Sequence, residues 1–306
     1  MHFGRIYAVQ LVTIFDFLKL VLADRIAMFV DTVYGDYKTY CGWYLIVATI
    51  LFAVQIYCDF DGYSTIAVGA AGILGIKLID NFNAPYLSTS VAEFWRNWHI
   101  SLTSWFKDYL YIPLGGSRKG KKRKYINKLI VFVVSGLWHG ADISFVVWGF
   151  LNGVYQIIGE ALIPVRERMV KILHLNVNTI GHRIAQGVFT FVLVDFSWIF
   201  FRANGFYESL DIIKSIFPCE NIWVLLDRSL YNCGLDSKNF WLMMTAILVL
   251  LLSDIAKKRG IIIRKVIAAQ DYWCRCLIVI FAICFILIFG IWGSGYDAAG
   301  FIYFQF

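Results

Sequence analysis

The sequence predicts an all-α integral membrane protein that crosses the bilayer several times. Of its 306 residues, 59% are hydrophobic and only 16% are charged, whereas about 25% are charged in an average soluble protein. Aromatic residues make up 18% of the chain, and Trp and Tyr suit the membrane interfaces, where the ring faces lipid and its polar end faces water. Because a soluble globule needs more polar surface than this, we expect one membrane domain over residues 1–306.

The charge pattern and the cysteines exclude two other classes of protein. The net charge is +7, but the basic residues stand in short segments between apolar runs, which is typical of cytoplasmic loops near anionic lipid and not of nucleic-acid binding. The seven cysteines form no CxxC pair, so we expect no zinc or redox site and no bound cofactor. Most cysteines lie in or beside apolar runs, where we interpret them as small hydrophobic residues.

Several apolar runs have the length that a transmembrane helix needs. About 20 residues suffice, because each residue rises about 1.5 Å through a hydrocarbon core of about 30 Å. The clearest run covers 276–293, and the other candidates are shorter or contain polar residues: 39–58, 62–76, 143–159, 184–201 and 239–253. Residues 129–141 are too short to span, and charges interrupt residues 5–29, which we interpret as partly buried or re-entrant.

Two basic segments predict the orientation. Residues 118–128 contain seven Lys and Arg, and residues 257–275 contain six. Short loops rich in Lys and Arg stay on the cytoplasmic side, so the mildly acidic stretch 203–238 is expected to face outside. Segments 129–141 and 143–159 then form an in-and-out pair with a histidine near the turn.

The residues that could carry chemistry lie between 94 and 149. FWRNWHISL (94–102) and SGLWHGA (135–141) each place a histidine directly after a tryptophan in apolar surroundings. Imidazole can take a proton from a hydroxyl and return it to a leaving group at neutral pH. In a low-dielectric chamber, His99 and His139 could therefore activate an alcohol against a thioester.

The neighbours of these histidines support the same interpretation. Trp98 and Trp138 are expected to wall a shared cavity, and the glycines on either side of Trp138-His139, Gly136 and Gly140, would let backbone approach a substrate closely. Helix-breaking glycines inside a membrane are tolerated where backbone lines protein or a cavity.

Each intramembrane ionisable residue has a structural alternative. Each histidine could be a hydrogen-bonded packing residue, although a charged group inside the membrane costs roughly 2.5–3.5 kcal/mol and therefore tends to be functional. We weight the aspartates towards structure. The residues from Asp59 to Gly62 are interpreted as an interfacial turn, and Asp195 is expected to pair with a neighbouring arginine.

Six motifs in one order indicate a family. They are WRNWHISL (95–102), DYLYIPLGGSRKG (108–120), SGLWHGA (135–141), VVWGFLNGVYQ (146–156), SWIFFRA (197–203) and FIYFQF (301–306). Together they resemble the membrane-bound O-acyltransferase family, in the branch that contains alginate O-acetyltransferase and the D-alanyl-lipoteichoic acid transferase. The Trp-Gly pair at 148–149, the Trp-Ile-Phe-Phe run at 198–201 and the FIYFQF end look closer to the alginate-type members.

The resemblance implies a fold, a reaction and a site. The fold is a ring of tilted helices around a thin floor. A donor thioester, acetyl-coenzyme A or another acyl thioester, enters from the cytoplasm, and an extracytoplasmic SGNH-type acyltransferase partner places the acyl group on a polysaccharide. The catalytic base is His139, and His99 is its companion in the same tunnel. Supporting residues are Trp138, Trp98, Asn97, Trp95, Ser135 and Gly140. The protein would lie among lipids of a bacterial plasma membrane and bind no nucleic acid.

Two departures from the family pattern accompany the resemblance. Family members similar to this chain carry several more helices before the segment that matches residues 18–31, so the sequence looks like the C-terminal two-thirds of such a protein. Asn152 stands where related sequences often have histidine. The alternatives are an inactive fragment of an acyltransferase, a transporter or channel that uses intramembrane His and Asp, and a structural scaffold. We find no inverted repeat in the sequence, although many transporters are built from such repeats.

Overall fold

The computed structural model describes residues 17–217 and 219–292, apart from the side chain of Arg264. Every regular element in these ranges is helical, which confirms the all-α prediction. The predictions for the FIYFQF segment and for residues 5–16 lie outside the described residues. The α-helices are α1 (Asp24–Gly35), α2 (Trp43–Ile73), α3 (Val91–Asn97), α4 (Ile100–Phe106), α5 (Gly120–His139), α6 (Ile143–Ala161), α7 (Ile163–Ile172), α8 (Ile180–Arg202), α9 (Phe206–Ile216), α10 (Ser237–Lys258), α11 (Ile263–Ala268) and α12 (Tyr272–Phe289).

Four of the described helices are long and apolar enough to cross a membrane, namely α2, α8, α10 and α12. The helices α6 and α7 pass the same test together, although the chain bends by 48° between them. The predicted spans at 143–159, 184–201, 239–253 and 276–293 each coincide with one of these helices. The multi-pass prediction is therefore confirmed by length and composition.

The predicted spans 39–58 and 62–76 are parts of one helix. The structure joins them in α2, which runs unbroken for 31 residues, so the interfacial turn expected from Asp59 to Gly62 is wrong. Asp59 is only 3% exposed because the Lys19 ammonium lies 2.8 Å from its carboxylate, and Lys19 also pairs with Asp24 at 2.9 Å. The helix continues because this buried ion pair compensates the charge.

The described residues divide into two compact units, 17–83 with 214–217 and 219–292, and 84–213. In the first unit, a π-helical segment at Phe17–Ala23 packs with α1, α2, α10 and α12. The lysine at its third position supplies the ion pairs described above. The Arg25 guanidinium donates to Asn239 Oδ1 at 3.1 Å and to the Phe289 carbonyl at 2.7 Å, so charged groups stabilise the inside of this unit.

The second unit is centred on the antiparallel pair α5 and α6, which α8 and the short helix α3 flank. The basic segment 118–128 was expected to be a loop, but α5 begins at Gly120 and runs for 20 residues to His139. Residues 129–141 were predicted to be too short to span the membrane because the first part of this helix, 120–128, was not recognised as helical. A hydropathy criterion passes over a lysine-rich segment, although lysine itself has a good helix propensity.

Glycines allow α5 and α6 to pack backbone against backbone. A Cβ atom added at Gly136 would lie 2.2 Å from the Phe145 carbonyl oxygen, and one at Gly149 would lie 2.2 Å from the Phe132 carbonyl oxygen. Small residues at such positions let membrane helices approach closely. The position of His139 at the end of α5 is therefore set by this glycine-dependent contact.

Candidate active site

One cavity of about 200 Å³ in the second unit is lined by both predicted histidines. Its other lining residues come from α3, α4, α5, α6 and the π-helical turn after α4, and they are Trp95, Trp98, Leu102, Thr103, Phe106, Lys107, Tyr111, Lys128, Val131, Phe132, Ser135 and Gln156. His99 and His139 are separated by forty positions in the sequence, and the fold brings them to the same cavity as predicted.

His99 lies at a sharp change of direction between two short helices. Its backbone is in the left-handed region with φ 43° and ψ 57°, which non-glycine residues adopt rarely and at a cost of order 1–3 kcal/mol. The helix before it, α3, has a strong start, because Ser90 Oγ accepts from the Glu93 amide at 3.2 Å and Glu93 Oε2 accepts from the Thr89 amide at 2.8 Å. His99 lies at this turn and lines the cavity.

His139 is the last residue of α5 and lies among aromatic rings. Its ring centroid is 4.9 Å from that of Trp138, 5.2 Å from that of Trp148 and 5.2 Å from that of Phe201, each with an edge-to-face geometry. Such contacts favour one orientation of the imidazole, and two of the three rings, those of Trp148 and Phe201, are buried. Ser135 lies one helical turn earlier on the same face of α5 and also lines the cavity.

The supporting residues predicted from the sequence divide into two groups. Trp95 and Trp98 line the cavity and are buried, as is Ser135. Trp138 is 53% exposed and is not among the lining residues, because its side chain leaves α5 about 100° away from that of the next residue. Its predicted role as a cavity wall is therefore wrong.

Asn97 and Gly140 serve packing in the described structure. The Asn97 amide donates to Ser88 Oγ at 3.3 Å and to the Glu93 carbonyl at 3.1 Å, which ties the end of α3 to the segment before it. A Cβ atom at Gly140 would lie 2.4 Å from the Phe145 ring. In the described structure this glycine permits a close approach to a neighbouring side chain, and its predicted role beside a substrate stays a prediction.

A buried hydrogen-bond network behind the cavity was not predicted. The Trp95 indole donates to Asn152 Oδ1 at 3.1 Å, and the Asn152 amide donates to Ser197 Oγ at 3.2 Å and to the Trp148 carbonyl at 2.9 Å. Asn152 is completely buried. This asparagine, noted in the sequence as a departure from the family pattern, joins α3, α6 and α8 beneath the histidines.

Two tryptophans complete the floor of this aromatic cluster. The rings of Trp148 and Trp198 stack with centroids 5.8 Å apart, and both are about 1% exposed. The VVWGFLNGVYQ and SWIFFRA motifs contain them, so the sequence did signal their importance without indicating a role.

The described residues include no cluster of three or more His, Cys, Asp and Glu that could hold a metal ion. Asp195 was expected to pair with an arginine. Among the described residues no such ion pair is formed, and its buried Oδ1 accepts no hydrogen bond. The cavity thus offers two imidazoles and the hydroxyl groups of Ser135, Thr103 and Tyr111, with lysines and a glutamine elsewhere in its lining.

Comparison with known proteins agrees with the motifs. A family model described as MBOAT, the membrane-bound O-acyltransferase family, matches residues 1–201. A relative from Pseudomonas fluorescens named "Probable alginate O-acetylase AlgI" is 37% identical over 191 residues, which cover 62% of this chain and 36% of the relative. A peptidoglycan O-acetyltransferase from Helicobacter pylori is 34% identical over 200 residues, covering 65% of this chain and 36% of the relative.

Another relative matches over fewer residues. The teichoic acid D-alanyltransferase of Bacillus subtilis is 32% identical over 110 residues, which cover 34% of this chain and 28% of the relative. The matching part of the chain therefore covers between 28% and 36% of the length of these curated relatives.

Proposed function

We propose that this chain, which belongs to the membrane-bound O-acyltransferase family, transfers an acyl group from a cytoplasmic thioester towards a polysaccharide outside the plasma membrane of a bacterium. The observation that carries the proposal is the single cavity that both His99 and His139 line. The similarity to an alginate O-acetylase and a peptidoglycan O-acetyltransferase favours acetyl as the acyl group and a glycan hydroxyl as the final acceptor.

His139 acts as the general base in this proposal. Its neutral imidazole removes the proton of an acceptor hydroxyl, whose oxygen attacks the carbonyl carbon of the thioester. The carbon–sulfur bond then breaks, and the imidazolium returns the proton to the departing thiolate. The aromatic cluster around the ring supports this role, because a dry site keeps the imidazole neutral before reaction and slows hydrolysis of the thioester.

His99 is the companion that positions the reacting groups. Its strained backbone holds the imidazole at a fixed place in the lining, and a second imidazole can donate a hydrogen bond to the oxygen that becomes negative as the hydroxyl attacks. The Ser135 hydroxyl, one turn from the base, can bind the acceptor hydroxyl or the thioester carbonyl in the same way.

The length of α5 fits a coenzyme A thioester. Lys128 lines the cavity and precedes His139 by eleven residues on one helix, so about 16 Å of helix axis separate them. The chain of a pantetheine arm from its sulfur to its first phosphate resembles a little more than four extended residues in length, about 14–16 Å. A thioester carbonyl beside the histidine would therefore place the first phosphate close to Lys128.

The basic start of α5 supports the direction of transfer. Segment 118–128 is cytoplasmic in our proposal, because short loops rich in Lys and Arg stay on that side, and the donor enters there. An SGNH-type acyltransferase on the outer side receives the acyl group and delivers it to the polysaccharide. Lipids surround the apolar helices α8, α10 and α12, whose faces remain largely exposed.

A turnover assay tests the proposal. Inverted membrane vesicles that contain the protein are supplied with acetyl-coenzyme A carrying a labelled acetyl group, and both free thiol and labelled glycan are measured. Replacement of His139 by alanine is expected to lower turnover by about 10²–10⁴-fold, the contribution typical of a general base.

The matched control is His182→Ala, in the first turn of α8 and outside the cavity lining. It is expected to retain the wild-type rate. Turnover of the His139 variant within about tenfold of wild type, in protein that remains folded in the membrane, would refute the assignment of the base.

A further inference from the structure

The carboxylate of Glu160 holds two lysines of the neighbouring helix. Glu160 lies in the last turn of α6, with Oε1 at 2.5 Å from Lys124 Nζ and Oε2 at 2.6 Å from Lys128 Nζ. The two lysines are one helical turn apart on α5. All three side chains are partly shielded, with 18–28% of their surface exposed, so these ion pairs are screened less than fully exposed ones.

One of these lysines belongs to the cavity that contains the histidines. Lys128 is a lining residue together with Lys107, Tyr111 and Gln156. The part of the lining around Lys128 therefore offers ammonium, phenol and amide donors, a set that binds phosphate oxygens. A carboxylate from the protein itself already occupies the ammonium of Lys128.

We propose that Glu160 is a specificity-determining residue that stands in for a phosphate of the donor. Without donor, its carboxylate neutralises Lys124 and Lys128 and keeps them together at the cavity. A phosphate of the incoming thioester displaces the carboxylate and takes over both ammonium groups. This inference rests on the proposed function for the identity of the donor, but it concerns a residue that the catalytic step does not use.

The displacement follows from the charges involved. Two lysines one turn apart on a helix repel each other when neither is paired, so the empty site needs an anion. A phosphate carries more negative charge and more acceptor oxygens than a carboxylate, and it can therefore replace Glu160 on both lysines. A thioester without phosphate has no anionic group to replace the Glu160 carboxylate, which then stays on the two lysines.

Binding measured on the purified protein in lipid nanodiscs tests this exchange without depending on turnover. The probes are coenzyme A, which carries phosphates, and pantetheine, which has the same arm and none. Glu160→Gln removes the competing charge and keeps the shape of the side chain. We expect it to tighten coenzyme A binding by about three- to tenfold, from the modest strength of two partly exposed ion pairs, and to leave pantetheine binding unchanged.

Two further variants separate this role from a structural one. Glu167→Gln, on the exposed face of α7 and with no ion pair among the described residues, should leave both affinities unchanged. Lys128→Gln should weaken coenzyme A binding by a similar factor and again spare pantetheine. A merely structural role would shift both probes together and lower the melting temperature.

The outcomes are distinguishable from failure of the proposed function. Tighter coenzyme A binding in Glu160→Gln with unchanged pantetheine binding supports the inference, even if no acyl transfer is seen. Unchanged or weaker coenzyme A binding in that variant, equal changes for both probes, or no binding of coenzyme A by any variant would overturn it. Absence of turnover in protein that binds coenzyme A would overturn the proposed reaction alone.

Discussion

The substitution Gly149→Ala tests how the α5–α6 contact positions the site. The added Cβ atom would lie 2.2 Å from the Phe132 carbonyl oxygen, whereas ordinary contact begins at 3.4 Å. Because the obstructing atom belongs to a helix backbone, the two helices must separate by about 1.2 Å at this point. Overpacking of this kind costs about 1–3 kcal/mol.

The same separation should affect catalysis, because α5 carries the proposed base at its end. A misplacement of about 1 Å can cost on the order of 10²-fold in rate. We therefore expect Gly149→Ala to lower both the melting temperature of the detergent-solubilised protein and the turnover of acetyl-coenzyme A in vesicles. Melting can be followed by tryptophan fluorescence, since Trp148, one of the buried indoles of the cluster, directly precedes Gly149 and stacks on Trp198.

The matched control is Gly159→Ala on the same helix. A Cβ atom there meets nothing within 4 Å, and alanine in a helix interior is favoured over glycine by about 1 kcal/mol. We expect this variant to be as stable as wild type or more stable, with unchanged turnover. If Gly149→Ala melts and turns over like the control, the backbone contact does not position the site.

Two further predictions concern buried polar groups in the separate units. Lys19→Met leaves the carboxylates of Asp24 and Asp59 without the ammonium between them, and loss of one partner from a buried pair costs about 3–5 kcal/mol. The solubilised protein should therefore melt at a much lower temperature. A wild-type melting temperature would contradict the prediction. Asn152→Leu leaves the Trp95 indole without its hydrogen-bond acceptor, which costs about 1–3 kcal/mol. The stability of the protein should fall, and turnover should fall as well because Trp95 lines the cavity. An unchanged melting temperature would show that the network does not stabilise the site.

Hydropathy predicted most of the spanning helices and failed at charged positions. Runs such as 276–293 and 184–201 overlap helices because they are mostly apolar. The segment around Asp59 was read as a turn because nothing local reveals that a lysine forty residues earlier neutralises it. An ion pair between residues far apart in the sequence depends on the tertiary fold, so a hydropathy window cannot reveal it. The ring of tilted helices and the single domain stay predictions from the family resemblance.

The candidate site was predictable in its reactive residues and not in their supports. The Trp-His pairs at 98–99 and 138–139 signalled ionisable groups in apolar surroundings, and the fold brings both histidines to one cavity. The role of Gly136 was misjudged, because the sequence shows a small residue without showing that the atom it accommodates is the Phe145 carbonyl oxygen. The face of α5 on which Trp138 lies could not be assigned from the sequence, because the basic first turns of α5 were not predicted to be helical.

The partners of the lysines in α5 were likewise beyond prediction. Lys124 and Lys128 were grouped with their neighbours as a signal of the cytoplasmic side. Glu160, thirty-two positions after the second of them, directly follows the run 143–159 that was interpreted as apolar. Only the antiparallel packing of α5 on α6 brings its carboxylate to the two ammonium groups.

Labelling by a reactive donor tests most directly whether the acyl group reaches the histidine cavity. A cysteine is introduced at Ser135, one turn before His139 in the lining, or at Leu137, which is 53% exposed and outside the lining. Vesicles are treated with bromoacetyl-coenzyme A, and alkylation at each position is measured by mass spectrometry of the peptide.

We expect Ser135→Cys to be alkylated rapidly and to be protected by an excess of acetyl-coenzyme A. Leu137→Cys should react no faster with bromoacetyl-coenzyme A than with bromoacetamide, and acetyl-coenzyme A should not protect it. Equal labelling at the two positions, or labelling at Ser135→Cys that acetyl-coenzyme A does not reduce, would contradict the claim that this cavity is where the donor delivers its acyl group.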